Sequence, residues 1–355
     1  MAGIDFTIES IQREYFKTAA ASARSLGTLR AIADARVGAT PRKLVHEVDK
    51  VKVYRYSGEH SFVAQRVPLL IVYALVNRPE MADLEKGRSM VEGLLSRGFD
   101  VYLVDWGYPD SADEAIGIEQ YVAGYLDDCV NHVLDLCGEA SLTLLGICQG
   151  GTFSVLYSAL NPGKVRRLIT TVTPIDFHTK DDLISHLVRY VDIDLMIDTL
   201  GNVDGDILNG FFLSLKPFRL TLQKYVNFFR EIDDHEKAAT FYRMEQWIFD
   251  SPSLTARSAR EFAKCFYQEN QLARNSYSLG SKKVDLKNIT MPVLNIFARE
   301  DHLVPPDSSR ALRHIIGSRD YIEHELPGGH IGIYVGSRSG GSVPEIVAQW
   351  VSERN

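Results

Sequence analysis

Cysteine is scarce in this 355-residue chain, with four residues at positions 129, 137, 148 and 265 and no C-x-x-C pair among them. That spacing offers neither a disulfide framework nor a zinc site, so reduced thiols in a cytoplasmic setting are expected, with no metal and no resident cofactor. A hydrophobic run of membrane-spanning length is also missing, and the amino terminus, Met1-Ala2-Gly3-Ile4-Asp5-Phe6, has no apolar signal core. Neither a transmembrane segment nor an export signal is therefore expected. Positive charge is in deficit, 39 Lys and Arg against 46 Asp and Glu for a net charge of -7. This argues against nucleic-acid binding through a broad basic face and leaves local contacts to an anionic ligand open. Internal repeats and low-complexity tracts are absent, which excludes a solenoid.

What is present is an alternation of apolar runs and helical stretches. Strands are expected at Lys50 to Tyr56, Leu69 to Val76, Val101 to Val104, Ser141 to Leu145, Val165 to Val172, Val293 to Ala298 and Tyr321 to Leu326. Helices are expected at Ile8 to Ala35, as an amino-terminal arm, and at Met81 to Arg97, Ile118 to Leu136 and Thr152 to Leu160. Strand and helix in alternation imply an α/β class protein with a mainly parallel sheet covered on both faces. Between Thr173 and about Asn288 the rhythm becomes helical and aromatic, holding 16 of the chain's 35 aromatic residues. The expected division is a core of residues 1–175 and 289–355 with an inserted, mainly helical cap of residues 176–288. Phe211, Phe212, Phe218, Phe228, Phe229, Tyr242 and Trp247 either line an apolar channel or form the cap's own core.

The most informative motif is Gly146-Ile147-Cys148-Gln149-Gly150, placed between a strand and a helix. It reads as a nucleophile elbow of the α/β-hydrolase fold, with cysteine where serine is usual and glycines 146 and 150 relieving the crowding of a sharp turn. Asp301, after the run Val293 to Ala298, and His330, in Pro327-Gly328-Gly329-His330-Ile331-Gly332, follow in the order nucleophile, acid, histidine. Each alone also fits a bland role: a packed thiol, an acidic loop residue, a hydrogen-bonded loop histidine. Jointly they form a triad in which His330 deprotonates Cys148 and Asp301 orients the ring. His302, beside the acid, either tunes Asp301 or is an ordinary surface residue. The oxyanion hole is expected from the backbone amide of Gln149 and a second amide at Val76 or Asn77. A thiol nucleophile exchanges one thioester for another and keeps the acyl group activated, so the chemistry points to acyl transfer more than to hydrolysis.

Gly146-Ile147-Cys148-Gln149-Gly150-Gly151, Tyr73-Ala74-Leu75-Val76-Asn77-Arg78-Pro79, Val104-Asp105-Trp106-Gly107, Arg299-Glu300-Asp301-His302-Leu303-Val304-Pro305 and Gly328-Gly329-His330-Ile331 together resemble the polyhydroxyalkanoate synthases over nearly the whole chain. The short length makes the chain similar to the class III catalytic subunit. The resemblance implies an acyltransferase that polymerises (R)-3-hydroxyacyl-CoA, chiefly 3-hydroxybutyryl-CoA, with release of CoA. It implies work at the surface of cytoplasmic polyester granules beside a second, noncatalytic subunit, in a homodimer or higher assembly. Cys148 would hold the growing acyl group, His330 would activate the thiol, and Asp301 would help activate the 3-hydroxyl. Two other readings stay open. A polyester depolymerase or thioesterase on the same fold would turn over with water and would tolerate Cys148→Ser. A noncatalytic granule-binding protein would be indifferent to Cys148→Ala.

Overall fold

Strands buried along their whole length build the centre of the molecule. The structure is a computed structural model describing residues 37–38, 40–58, 67–218, 223–230, 234–336 and 341–354; the expected amino-terminal arm lies outside them. Eight strands form one sheet: β1 (Arg42–Val48), β2 (Val51–Tyr56), β3 (Leu69–Val72), β4 (Val101–Asp105), β5 (Leu142–Ile147), β6 (Val165–Thr171), β7 (Val293–Ala298) and β8 (Tyr321–Leu326). Their spatial order is β1-β2-β4-β3-β5-β6-β7-β8. From β4 to β8 every pairing is parallel, whereas β1–β2 and β2–β4 are antiparallel. Every residue of β3, β4, β5 and β7 is buried, as a parallel sheet covered on both faces requires. Strand β1, exposed along much of its length, was not expected from the sequence.

The expected continuous helix from Met81 to Arg97 is not formed. A 3₁₀ turn (Pro79–Ala82) leads into a small hairpin of Asp83–Glu85 with Arg88–Ser89, and only Met90–Leu95 (α1) is α-helical. The cause is Asp83, whose buried carboxylate accepts from Thr40 N at 2.9 Å, Thr40 Oγ1 at 2.6 Å and Ser89 Oγ at 2.6 Å. Such side-chain bonds compete with helix, and Ser89 caps α1 through Glu92 N. Helices α2 (Leu126–Cys137) and α3 (Gln149–Leu160) follow β4 and β5.

Between β6 and β7, none of the described residues joins the main sheet. The segment holds α4 (Leu183–Val188), α5 (Ile193–Leu200), α6 (Gly205–Ser214), α7 (Lys224–Arg230), α8 (His235–Phe249) and α9 (Ala256–Glu261). A π-helical stretch (Phe262–Gln268) and a small hairpin, Ser278–Leu279 with Lys282–Lys283, complete it. Its inner residues share the core under the sheet. Phe262 meets Phe153 of α3 with ring centroids 6.4 Å apart and Phe177 at 5.8 Å, and Phe153 in turn meets Trp106 at 6.3 Å. Of the aromatics considered for a channel, Trp247 is buried, Phe228 stacks on Phe241, Phe218 is turned to solvent and the Phe229 side chain lies outside the described set.

Candidate functional site

Strand β5 ends at Ile147, and the next residue takes φ 53° and ψ -124° before α3 begins at Gln149. That residue is Cys148. A positive φ is costly for a residue with a Cβ and persists only where the surroundings impose it. Here the glycines allow it. A Cβ at Gly150 would lie 2.2 Å from Val72 O, one at Gly146 2.4 Å from Gly151 Cα, and one at Gly151 1.8 Å from Thr173 Oγ1. Helix α3 is thereby drawn against β3 and the residues just after β6, with the thiol held at its amino-terminal end. Cys148 N donates to Thr171 O at 2.9 Å, and Cys148 O accepts from Gly151 N at 2.9 Å, which fixes the turn from both sides.

Across the carboxyl ends of β7 and β8, Asp301 and His330 are both buried, at 6% and 8% exposure. His330 Nδ1 lies 2.7 Å from Asp301 Oδ2. The other carboxylate oxygen accepts from Leu303 N at 2.9 Å and Val304 N at 3.0 Å. Backbone amides of its own loop thus hold the acid, and His302 stands half-buried on the same loop. Burial by itself would lower the pKa of the His330 imidazole, but the charges of Asp301 and Cys148 and hydrogen bonding to both more than reverse this. The ring is held well above its usual range. Two backbone bonds, Arg299 N to Leu326 O at 2.8 Å and Glu300 N to Gly328 O at 2.9 Å, tie the acid's loop to the histidine's, and Gly328 N donates back to the Glu300 carboxylate.

The loop after β3 approaches from the opposite side. The Gln149 side chain reaches across and accepts from Leu75 N at 3.0 Å. Among the described residues nothing accepts from the backbone amides of Gln149, Val76 or Asn77. Asn77 adopts φ 60°, and Arg78 forks onto Asp105 through two bonds of 2.7 Å. The clasp by the Gln149 side chain and the Arg78–Asp105 fork are not visible in sequence, since nothing in either spacing marks the partner. Nor are three tyrosines, Tyr73, Tyr267 and Tyr334, whose hydroxyl pKa values are raised well above the usual range, first by burial and then by charge that includes Cys148. The hydroxyl of Tyr334 donates to Thr171 Oγ1 at 2.6 Å, on the residue whose carbonyl accepts from Cys148 N.

The family model described as the alpha/beta hydrolase fold matches residues 67–337. Solved structures agree on the fold: a monoacylglycerol lipase from Paleococcus ferrophilus is similar with TM-score 0.54 at 17% identity, covering 85% of this chain and 99% of the other. A structure of DcsB with its substrate analogue gives TM-score 0.53 at 15% identity over 89% and 99%. Strand order, elbow and matched model thus define an α/β-hydrolase-fold protein. Within that class, the poly(3-hydroxyalkanoate) polymerase subunit PhaC of Allochromatium vinosum is 54% identical over 89% of this chain and 90% of its own length. Its counterparts from Thiocystis violacea and a Synechocystis species are 50% and 45% identical, over 90% of this chain in each case and over 90% and 86% of their own lengths. The chain belongs to the poly(3-hydroxyalkanoate) polymerase family, and it is an acyltransferase.

Proposed function

We propose that this enzyme polymerises (R)-3-hydroxyacyl groups, chiefly 3-hydroxybutyryl, from their CoA thioesters through a covalent thioester on Cys148. The observation that carries this reading is the cysteine at φ 53° on the elbow, with a buried His330–Asp301 pair beside it. His330 takes the thiol proton and the thiolate attacks the substrate carbonyl. The amide of Gln149 and that of Val76 or Asn77 receive the oxyanion, and the CoA sulfur leaves with the proton from the imidazolium. In the second half a 3-hydroxyl gives its proton to His330 and attacks an acyl thioester, forming the ester bond and releasing a thiol. The Asp301 side chain is fully buried behind the ring, which favours its acting on the hydroxyl through His330.

The same reading places the enzyme in the cytoplasm at the surface of the polymer granule, with a second, noncatalytic subunit and as a dimer or larger assembly. Support comes from apolar side chains turned outward on the cap, among them Leu187, Tyr190, Leu195 and Phe218, at 45%, 90%, 65% and 80% exposure. No helix among the described residues is long and apolar enough to cross a membrane.

The test is incubation with (R)-3-hydroxybutyryl-CoA, with and without a candidate second subunit, following free CoA and the fate of the acyl group. CoA release with polymer accumulating is expected; release of free hydroxy acid would make the enzyme a hydrolase. Cys148→Ala should lower CoA release by about a thousandfold or more. Asp301→Asn should slow chain growth on the order of a hundredfold and the first acylation by less, and equal losses in single-turnover kinetics would remove its role in the second step.

A further inference from the structure

The carboxyl end of α8, in the cap, is fastened to the loop that carries the second oxyanion amide. Trp247, 6% exposed, donates its indole N–H to Arg78 O at 2.7 Å. The Asn77 side chain donates back through Nδ2 to Ile248 O at 3.2 Å. Two residues further along, Tyr108 OH donates to Asp250 at 2.6 Å, and its ring lies under the Arg78 guanidinium at 4.6 Å. The loop's inner side is held by the Arg78–Asp105 fork and by Gln149, its outer side by these cap residues.

Consecutive backbone groups at 76–78 thus divide between two tasks: amides free for a substrate oxygen, and a carbonyl and side chain committed to the cap. We propose that Trp247 and Asn77 are positioning residues for acyl transfer, which set the oxyanion loop in its working geometry only while the cap is seated. This rests on the reading of Cys148 as the nucleophile and of the Val76 or Asn77 amide as an oxyanion donor. Asn77 is suited to the task because its φ of 60° lies in the left-handed region that asparagine tolerates, so the side chain turns to the cap while the backbone turns to the elbow. Oxyanion stabilisation depends on donors being in place before charge develops, so a loop released from one side loses rate without losing the thiol.

Two reactions of the same sulfur separate this from general damage. Acylation by a hydroxyacyl-CoA passes through a tetrahedral oxyanion; alkylation by iodoacetamide displaces iodide from carbon and forms none. The variants are Trp247→Phe, which keeps an aromatic ring without the N–H, and Asn77→Gly, which keeps the left-handed backbone without the side chain. Each should lower single-turnover acylation about tenfold or more while alkylation of Cys148 stays unchanged or quickens, and the double variant should lose little beyond the worse single one. Loss of both reactions together in Asn77→Gly, or unaltered acylation in both variants, would overturn the proposal. If Cys148→Ala releases CoA as fast as the wild type, the reading of the nucleophile fails and this inference fails with it. Cysteine-dependent release with Trp247 and Asn77 indifferent sinks the inference alone.

Discussion

His330 is the member of the site whose protonation its surroundings move. Its pKa is raised, so the charged ring adds to folded-state stability fully below the unfolded value of about 6.5, and that contribution is lost as pH rises through the higher folded value. Removing each raising partner should bring the folded value down. Proton NMR of the ring is expected to show deprotonation at lower pH in Cys148→Ala than in the wild type, and lower again when Asp301→Asn is added. An unmoved titration in Cys148→Ala would mean the sulfur does not bear on the ring. At this scale Cys148, Asp301 and His330 were legible because glycine spacing and chain order are written locally. The Gln149 side-chain clasp on Leu75 N was not, because its partner lies 74 residues away and an amide side chain has no spacing rule.

Among the elements, α4 begins on a group that resists its own charge. Asp182 is 2% exposed, and its pKa is raised to about 6, chiefly by burial, even though the carboxylate accepts from Ser185 N at 2.9 Å as the helix cap. For an acid with a raised folded value, stability is greatest below the unfolded pKa of about 4 and falls as pH climbs to about 6. Asp182→Asn keeps the capping oxygen and removes the charge. Its thermal midpoint should exceed that of the wild type at pH 7, by an amount corresponding to ~1–3 kcal/mol, and the gap should close below pH 4. A constant gap at all pH values would point to packing instead. The strands that the sequence revealed include those buried on every residue, such as β3 and β7, and those with alternating or partial exposure, such as β2 and β8. The helix expected from Met81 failed because periodicity does not register a buried aspartate that collects three hydrogen bonds.

Taken whole, the described cap residues and the sheet share one core where the sequence could have supported two. The rings of Phe177 and Phe262 continue those of Phe153 and Trp106, so the base of the cap and the sheet are filled from the same core. The three tryptophans report from separate places: Trp106 after β4, Trp247 in α8 and Trp350 in α10 (Ser342–Ser352), each buried. Urea unfolding followed by fluorescence, with the tryptophans replaced by Phe in turn, should give one coincident transition. Phe262→Ala should lower the midpoint in all of them, by ~3–5 kcal/mol of stability. An early transition confined to Trp247 would mean that the cap melts alone. Aromatic enrichment in the sequence could not decide between a lid with its own core and one that shares the main one, since both need the same rings.

The backbone bonds between residues 299–300 and 326–328 join the acid's loop to the histidine's, and neither loop depends on the cap for this. A chain-building catalyst repeats one proton transfer through every unit it adds, while its product lengthens and tugs at whatever surrounds the exit. In the mechanism proposed above, a clamp between Asp301 and His330 leaves that tugging to alter how readily a unit enters or leaves while the geometry of proton transfer stays as it was at the first addition.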